Sequence, residues 1–161
     1  MGPILKAMYK RKSAREKMNN PNLPQVVAIP ANMQKRFGPG TMLLPSPPEI
    51  ESLIRTVRKG SLATIGELRR HLAAKYEVTT TCPLLTGLFV RLAAEAAEES
   101  AHDGRTRIAP YWRVVKDDGS LNPKLPGGVE RQSERLREEG HRILPARGKR
   151  PPRVDLSPRK V

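Results

Sequence analysis

Three helix-start signals lie close together in the middle of the chain, and they constrain its fold more than any other feature. Ser46-Pro47-Pro48-Glu49 and Thr64-Ile65-Gly66-Glu67 both have the form of a capping box, and Thr79-Thr80-Thr81-Cys82-Pro83 places a proline just after a threonine cap. Apolar residues follow each signal at helical spacing. The sequence therefore predicts three helices, over residues 47–58, 65–75 and 83–99.

The third of these helices is expected to be the central and most buried one, because its apolar stripe is the widest. The stripe consists of Leu84, Leu85, Leu88, Phe89, Leu92 and Ala96. Together with the preceding helix it fits a helix-turn-helix, in which the second helix contacts nucleic acid. Any small helical bundle produces the same spacing, so a plain bundle is the alternative.

The start of the third helix has the chemistry of a phosphate site. Thr79, Thr80 and Thr81 place hydroxyl groups there, beside free backbone amides and the positive end of the helix dipole. Three glutamates at the far end of the helix would repel a polyanion. The alternative is that these threonines only cap the helix.

The charge of the chain is concentrated at its two ends. The net charge is +14, of which residues 1–40 and 141–161 carry nearly all, while the middle is close to neutral. The sequence predicts a basic N-terminal arm over residues 1–22, an extended wrapping segment over 23–45, a folded domain over 46–143 and a basic Pro-rich tail over 144–161. Basic arms favour nucleic acid as the partner, most simply double-stranded DNA, with RNA as a second candidate. Solubilising tails without a partner are the alternative.

Other classes of function find little support in the residues. No apolar run approaches the length of a membrane span, so the chain is expected to be cytoplasmic, without a membrane partner, and monomeric. One cysteine, Cys82, excludes an intramolecular disulfide and a Cys-rich zinc site. His71, His102 and His141 lack metal-ligand spacing, and no cofactor or metal is predicted.

The segment from Ile108 to Val115 holds the only tryptophan and one of three tyrosines, in a chain with 4% aromatic residues. Tyr111 and Trp112 follow Pro110 directly, so they are a candidate pocket wall. The alternative is that both are core residues whose polar atoms are bonded locally. The two valines after them predict a short strand that ends in a tight turn, and a charged surface helix is predicted over 129–139.

These elements in this order resemble the DNA-binding, active-site domain of the alkylguanine-DNA alkyltransferases and their alkyltransferase-like relatives, over residues 47–143. The segment Pro110-Tyr111-Trp112-Arg113-Val114-Val115 is similar to the family's Pro-Cys-His-Arg-Val-Val at every position but two. Gly127-Gly128-Val129-Glu130 and Glu138-Glu139-Gly140-His141 carry the rest of the likeness, with the predicted helix-turn-helix. The resemblance implies a mainly α, winged-helix-like domain with a short strand or wing, flanked by extended basic arms.

The two departures from that motif bear on chemistry. The family's alkyl-accepting cysteine corresponds to Tyr111 and the adjacent histidine to Trp112, so the thiolate and the base that activates it are both missing. Glu139 matches the family's relay glutamate but has no imidazole to polarise. The resemblance therefore implies a protein that is not an enzyme, with a base pocket formed by Pro110, Tyr111, Trp112 and Glu139. Beyond the three threonines, it implies nucleic-acid contacts at Pro83, Leu84, Gly87, Arg91, Arg113 and Ser120.

Two functions from different classes follow. The first is a non-catalytic, alkyltransferase-like DNA-binding protein that recognises alkylated guanine for DNA repair. The second is a general binding module for DNA or structured RNA, ribosomal RNA included, that keeps the fold without lesion recognition. A third, enzymatic hypothesis uses Cys82 as the alkyl acceptor.

Overall fold

Six α-helices, one 3₁₀-helix and seven short strands are present in residues 11–156, the part of the chain that the computed structural model describes. The helices are α1 (Ala14–Lys17), α2 (Ala31–Phe37), α3 (Pro47–Thr56), α4 (Ile65–Lys75), α5 (Pro83–His102), the 3₁₀-helix (Tyr111–Arg113) and α6 (Gly128–Glu138). The strands are β1 (Gln25–Ala28), β2 (Thr41–Leu44), β3 (Ala63–Thr64), β4 (Thr80–Thr81), β5 (Val114–Val115), β6 (Ile143–Leu144) and β7 (Arg153–Val154). The fold is mainly α, as predicted, and residues 1–10 and 157–161 of the predicted arm and tail lie outside the described residues.

The main core forms where α5 crosses α3 and α4. Its inner face buries Phe89, Val90 and Ala93, and these pack with Ile54 of α3 and Leu72 of α4. The alanines of this face allow the helices to approach closely, so α5 is the central helix, as predicted. No helix within the described residues has the length and hydropathy that a membrane span requires.

The bounds of the predicted helices agree with the structure to within a few residues. The side chain of Thr64 accepts a hydrogen bond from the Glu67 amide at the start of α4, as a capping box requires. Ser46 makes no such bond at the start of α3, although the proline after it does begin the helix. α5 continues to His102, so it ends later than the predicted bound at residue 99.

The link between α4 and α5 differs from a simple helix-turn-helix turn. It spans residues 76–82 and contains β4, which pairs in parallel with β2. β2 also pairs antiparallel with β1, so the sheet order is β1-β2-β4. Met42 and Leu43 of β2 are buried, and Met42 packs with Cys82 at the start of α5. The helix α2 corrects the prediction that residues 23–45 are extended throughout.

The described part of the N-terminal arm is docked on α5, which corrects the prediction of an extended arm. Ser13 caps the four-residue helix α1, and the amide of Ala14 donates to Oε2 of Glu99 at 2.7 Å. The amide of Arg15 donates to the other oxygen of Glu99, and its guanidinium pairs with Asp103. A carboxylate at a helix N-terminus meets free amides and the positive end of the dipole, so α5 holds α1 in place.

The described part of the basic C-terminal segment is also ordered, which corrects the prediction of a tail without core-forming residues. β6 and β7 pair antiparallel, and Val154 is buried in a second core with Val115, Leu121 and Leu136. The sequence pattern did not reveal this hairpin because its strands are only two residues long. A single valine supplies its buried contact.

Candidate nucleic-acid interface

The N-terminal half of α5 presents an apolar face to solvent. Leu84 is 77% exposed and Leu88 is 51% exposed, and with Val26 they are the exposed large hydrophobic residues among residues 11–156. Arg91 follows at the next turn and is exposed as well. The spacing i, i+4, i+7 places the three side chains on one face of the helix. We call this set, Leu84, Leu88 and Arg91, the open face.

The open face shows that the predicted apolar stripe of α5 is buried only in part. The helix is apolar over more of its circumference than α3 and α4 can cover, so the side that carries Phe89 and Val90 is covered and the side that carries Leu84 and Leu88 is not. Gly87 lies between the two leucines, and a Cβ placed there would meet nothing within 4 Å. The structure thus keeps three predicted contact residues, Leu84, Gly87 and Arg91, together at the surface.

The threonines before α5 are not arranged as a phosphate site. Thr80 and Thr81 form β4 and are buried, with Thr81 fully covered. Thr81 Oγ1 donates to the carbonyl of Arg69 at 2.8 Å, and Arg69 Nη2 donates to Thr80 Oγ1 at 3.0 Å. Thr79 is exposed, but its hydroxyl oxygen accepts the Thr41 amide at 3.3 Å. Strand pairing, which the helix-cap interpretation did not consider, places these side chains toward the protein.

The first turn of α5 still has the free amides of a helix start. Pro83 occupies the first position and is half-buried, and Cys82 makes no side-chain cap. The first intrahelical bond runs from Thr86 to the Cys82 carbonyl at 3.1 Å. The amides of Leu84 and Leu85 therefore precede the hydrogen-bond ladder, at the positive end of the helix dipole and next to the open face.

A cleft of about 770 Å³ adjoins the open face, between α5 and residues 12–22. Its lining residues are Lys12, Lys17, Asn19, Asn20, Pro21, Asn22, Leu88, Phe89, Arg91, Leu92 and Glu95. The single carboxylate among them, Glu95, pairs with Arg91 at 3.0 Å across one turn of α5. Lys12 and Lys17 form no ion pair with another described residue. The cleft therefore has a net positive lining.

The aromatic segment is built differently. Tyr111 is 1% exposed and belongs to the main core, and its hydroxyl donates to Oε1 of Glu98 at 2.6 Å. Burial first, and then this bond to a carboxylate, raises the pKa of the phenol well above its usual value. Trp112 meets the Tyr111 ring edge-on at a centroid distance of 5.4 Å. Tyr111 thus fills the space that a base pocket would need, which favours the core interpretation.

Glu139 holds the other half of this segment. Its Oε1 accepts from Trp112 Nε1 at 2.9 Å and from Arg113 Nη2 at 2.8 Å, while Arg113 Nη1 donates to the Val57 carbonyl at 2.7 Å. Burial acts to raise the pKa of Glu139, but the bonds from Arg113 and Trp112 outweigh it, so the pKa lies below its usual value. Glu139 therefore joins the aromatic segment to the C-terminal end of α6.

Two further predicted contact residues, Arg113 and Ser120, and the predicted pocket residue Pro110 are unsuited to binding in this arrangement. The guanidinium of Arg113 is largely buried and committed to Glu139, so it is not presented to a phosphate. Ser120 is buried beside Arg153 of β7, and Pro110 is buried at the end of the core. The concavity that remains near Trp112 is small, about 300 Å³, and is lined with Arg131, Arg135, Glu138 and Glu139.

Sequence reasoning missed two parts of the interface. Lys12 and Lys17 were assigned to a general arm rather than to a wall of a cleft, and Glu99 was treated only as a repelling charge. The signal for the open face was present, since two leucines and an arginine recur at i, i+4, i+7. No local signal shows that Glu99 holds α1, because the bond joins residues 85 positions apart.

Comparison with solved structures finds a likeness to S. pombe Atl1, in a crystal structure of its complex with damaged DNA containing O6-carboxymethylguanine. The two chains are 19% identical, the alignment covers 68% of this chain and 88% of that chain, and the TM-score is 0.48. No protein-family model and no curated protein matches the chain. At this identity and TM-score the likeness decides neither the family nor the function of the chain.

Proposed function

We propose that this chain is a non-catalytic DNA-binding protein in which α4 and α5 act as a helix-turn-helix-like pair and the open face of α5 contacts duplex DNA. The observation that carries the proposal is the exposure of Leu84 and Leu88 in a chain that buries its other leucines fully or in part within the described residues. Apolar side chains of this kind serve as wedges between base steps in several DNA-binding proteins. Leaving them in water is unfavourable, so a partner surface that covers them stabilises the complex.

The charges around the open face fit a polyanion. Lys12, Lys17 and Arg91 line the adjoining cleft, and the chain as a whole carries a net charge of +14. Each glutamate of α5 has a partner within the chain: Glu95 pairs with Arg91, Glu98 bonds to Tyr111 and Arg135, and Glu99 bonds to α1. Neutralised phosphates release counterions, so affinity should fall as the salt concentration rises.

The side chains at the aromatic segment support a role without catalysis. The Tyr111 hydroxyl is buried, its pKa is raised, and it already donates to Glu98, so it offers no nucleophile at neutral pH. Trp112 is not a base, and Glu139 is committed to Arg113 and Trp112. Recognition of an alkylated guanine at this segment would require Tyr111 to leave the core. The general DNA-binding function is therefore the better supported of the two.

Replacing both leucines with serine tests the proposal. Leu84→Ser with Leu88→Ser should weaken binding to a plain duplex by about a hundredfold or more, because each covered leucine is worth about 1.5 to 3 kcal/mol and about 1.4 kcal/mol corresponds to tenfold in affinity. Fluorescence anisotropy with a labelled duplex measures the affinity. Val26→Ser is the matched control, since Val26 is also 51% exposed but lies on β1. The thermal midpoint of both variants should stay close to that of the wild type.

The outcomes separate the candidate functions. Wild-type affinity in the double-serine variant would refute the open face as the contact surface. Tighter binding to a duplex with an alkylated guanine than to the matched plain duplex would restore lesion recognition. Tighter binding to a structured RNA of equal charge would favour the RNA-binding alternative. Intact mass after incubation with alkylguanine DNA, unchanged for this chain, would agree with the absence of alkyl transfer to Cys82.

A further inference from the structure

The basic segment after α6 forms an ordered hairpin fixed to the domain. Ile143 pairs with Val154 and Leu144 with Arg153, and the tip closes through reciprocal backbone bonds between Arg147 and Arg150. The second strand also bonds to residues 119–121 of the domain. The Leu121 amide donates to the Pro152 carbonyl and the Val154 amide to the Gly119 carbonyl, both at 2.9 Å. The charges of this segment therefore occupy defined positions.

Three arginines of the hairpin converge on one concavity. It has a volume of about 270 Å³ and is lined by Leu144, Pro145, Arg147, Arg150, Pro151 and Arg153. No carboxylate is part of this lining. The two prolines restrict the backbone on either side of the tip, so the backbone that carries the arginines is stiff.

Like charges face each other directly in this hairpin. Arg147 and Arg150 form an antiparallel bridge, and a pair of equal charges in that relation is destabilising. Neither arginine forms an ion pair with another described residue, and the exposed Asp118 interacts with Arg150 only at a distance. An anion bound between the two side chains would relieve this repulsion. A phosphate group suits such a fork of guanidiniums because its oxygens accept several N–H bonds at once.

We propose that the concave face of the 143–154 hairpin binds phosphodiester groups of nucleic acid, as a contact separate from the open face of α5. The inference rests on the proposed function for the identity of the polymer, but its residues are different. The hairpin is held by the second core around Leu121 and Leu136, whereas α5 belongs to the main core. It adds affinity that is independent of base sequence.

The experiment is a salt titration of duplex binding by two charge-matched variants. Arg147→Gln with Arg150→Gln removes two charges from the concavity, and Arg105→Gln with Arg107→Gln removes two from an exposed loop after α5. The slope of log affinity against log salt concentration should become shallower by about 0.9 for each phosphate that the hairpin variant no longer neutralises. The loop variant should keep the wild-type slope. Thermal unfolding of both variants checks that they fold.

Each outcome bears on the inference. A hairpin variant with the wild-type slope, or two variants with equally reduced slopes, would overturn the concavity as a site while leaving DNA binding through α5 intact. A wild-type chain that binds no duplex at low salt would overturn the proposed function and this inference together. A titration with inorganic phosphate completes the experiment. If it shifts the backbone amide resonances of residues 145–153 and duplex DNA does not, the site takes free phosphate and the nucleic-acid assignment is wrong.

Discussion

The two halves of α5 face very different surroundings. Its C-terminal half approaches the aromatic segment, where the hydroxyl of Tyr111 has a carboxylate partner and the ring is covered. Its N-terminal half carries Leu84 and Leu88, which are 77% and 51% exposed. One helix therefore serves two purposes. Its C-terminal half stabilises the domain, and its N-terminal half is the surface that we propose for DNA binding.

This contrast within α5 indicates that residue types that are rare in a chain do not by themselves identify a binding site. Tyr111 and Trp112 stand out in composition, yet both are held by buried or half-buried carboxylates. Such a network is expensive to disturb, since removal of either partner leaves a buried polar group without compensation. Exposed leucines contribute little to stability and can change at small cost to the fold. Stability and binding should therefore respond to different mutations.

The largest effect should come from Glu139→Ala. The change leaves Arg113 largely buried without its carboxylate and removes the acceptor of Trp112 Nε1, so we expect a loss of about 3 to 5 kcal/mol in the free energy of unfolding. Urea denaturation measures it. Glu134→Ala is the control, because Glu134 lies on the same helix in an exposed pair with Arg131. The folded Glu139 variant should bind duplex DNA as the wild type does. A selective loss of DNA affinity would place the aromatic segment in the interface.

A smaller loss should follow Tyr111→Phe. Glu98 loses the phenol donor but keeps Arg135 Nη2 at 3.1 Å, so about 1 to 2 kcal/mol is expected at neutral pH. The gap between wild type and variant should narrow as the pH rises past about 10, where the unfolded tyrosine ionises. The folded pKa of Tyr111 is raised, so the wild type loses the stability that Tyr111 contributes there, and the phenylalanine variant has no such contribution to lose.

Tyr76→Phe provides a comparison for that measurement. Tyr76 donates to Glu49 at 2.6 Å, and this bond, followed by burial, raises its pKa to about 12. Tyr76 is only partly buried, so its replacement should cost less at neutral pH than that of Tyr111. Thermal midpoints of both variants at pH 8 and at more alkaline values show which substitution costs more stability. A difference in stability between the wild type and Tyr111→Phe that stays constant with pH would contradict the raised pKa of Tyr111.

The smallest effect on stability should come from Glu99→Ala, which releases α1 from α5. The amides of Ala14 and Arg15 lose their acceptor, for a cost of about 0.5 to 2 kcal/mol. Duplex affinity should fall severalfold, because Lys12 and Lys17 no longer line the cleft in fixed positions. Glu51→Ala removes the same charge from an exposed pair on α3 and serves as the control. If both variants bind DNA equally, the docked arm plays no part in binding.

Much of the fold was accessible from local signals. The starts of α3, α4 and α5 follow from prolines and a threonine cap, and β5 follows from two adjacent valines. The β4 strand was missed, because Thr80 and Thr81 gain their partners from β2, nearly forty residues earlier in the chain. The hairpin of β6 and β7 was missed for a similar reason. Its backbone partners at Gly119 and Leu121 are remote in sequence.

The candidate site was accessible only in part. Leu84, Gly87 and Arg91 could be named from the sequence, whereas the two lysines that line the cleft could not be placed there. The burial of Tyr111, which is 1% exposed, favours the alternative of a core aromatic that the sequence left open. A side chain's identity shows that it is able to line a pocket or to fill one. Which of the two happens depends on the volume that its neighbours leave.

Three properties of this protein can be read from its sequence alone: the helical spacing, the strongly basic charge, and the absence of a cysteine and histidine pair at the aromatic segment. These are local properties, set by residue type and by intervals of a few residues. Three other properties appear only in the tertiary structure. One side of α5 remains uncovered, Glu99 holds the N-terminal arm, and the C-terminal arginines line one concavity. Those outcomes depend on contacts between distant segments, because an apolar face is buried only where another element is positioned to cover it.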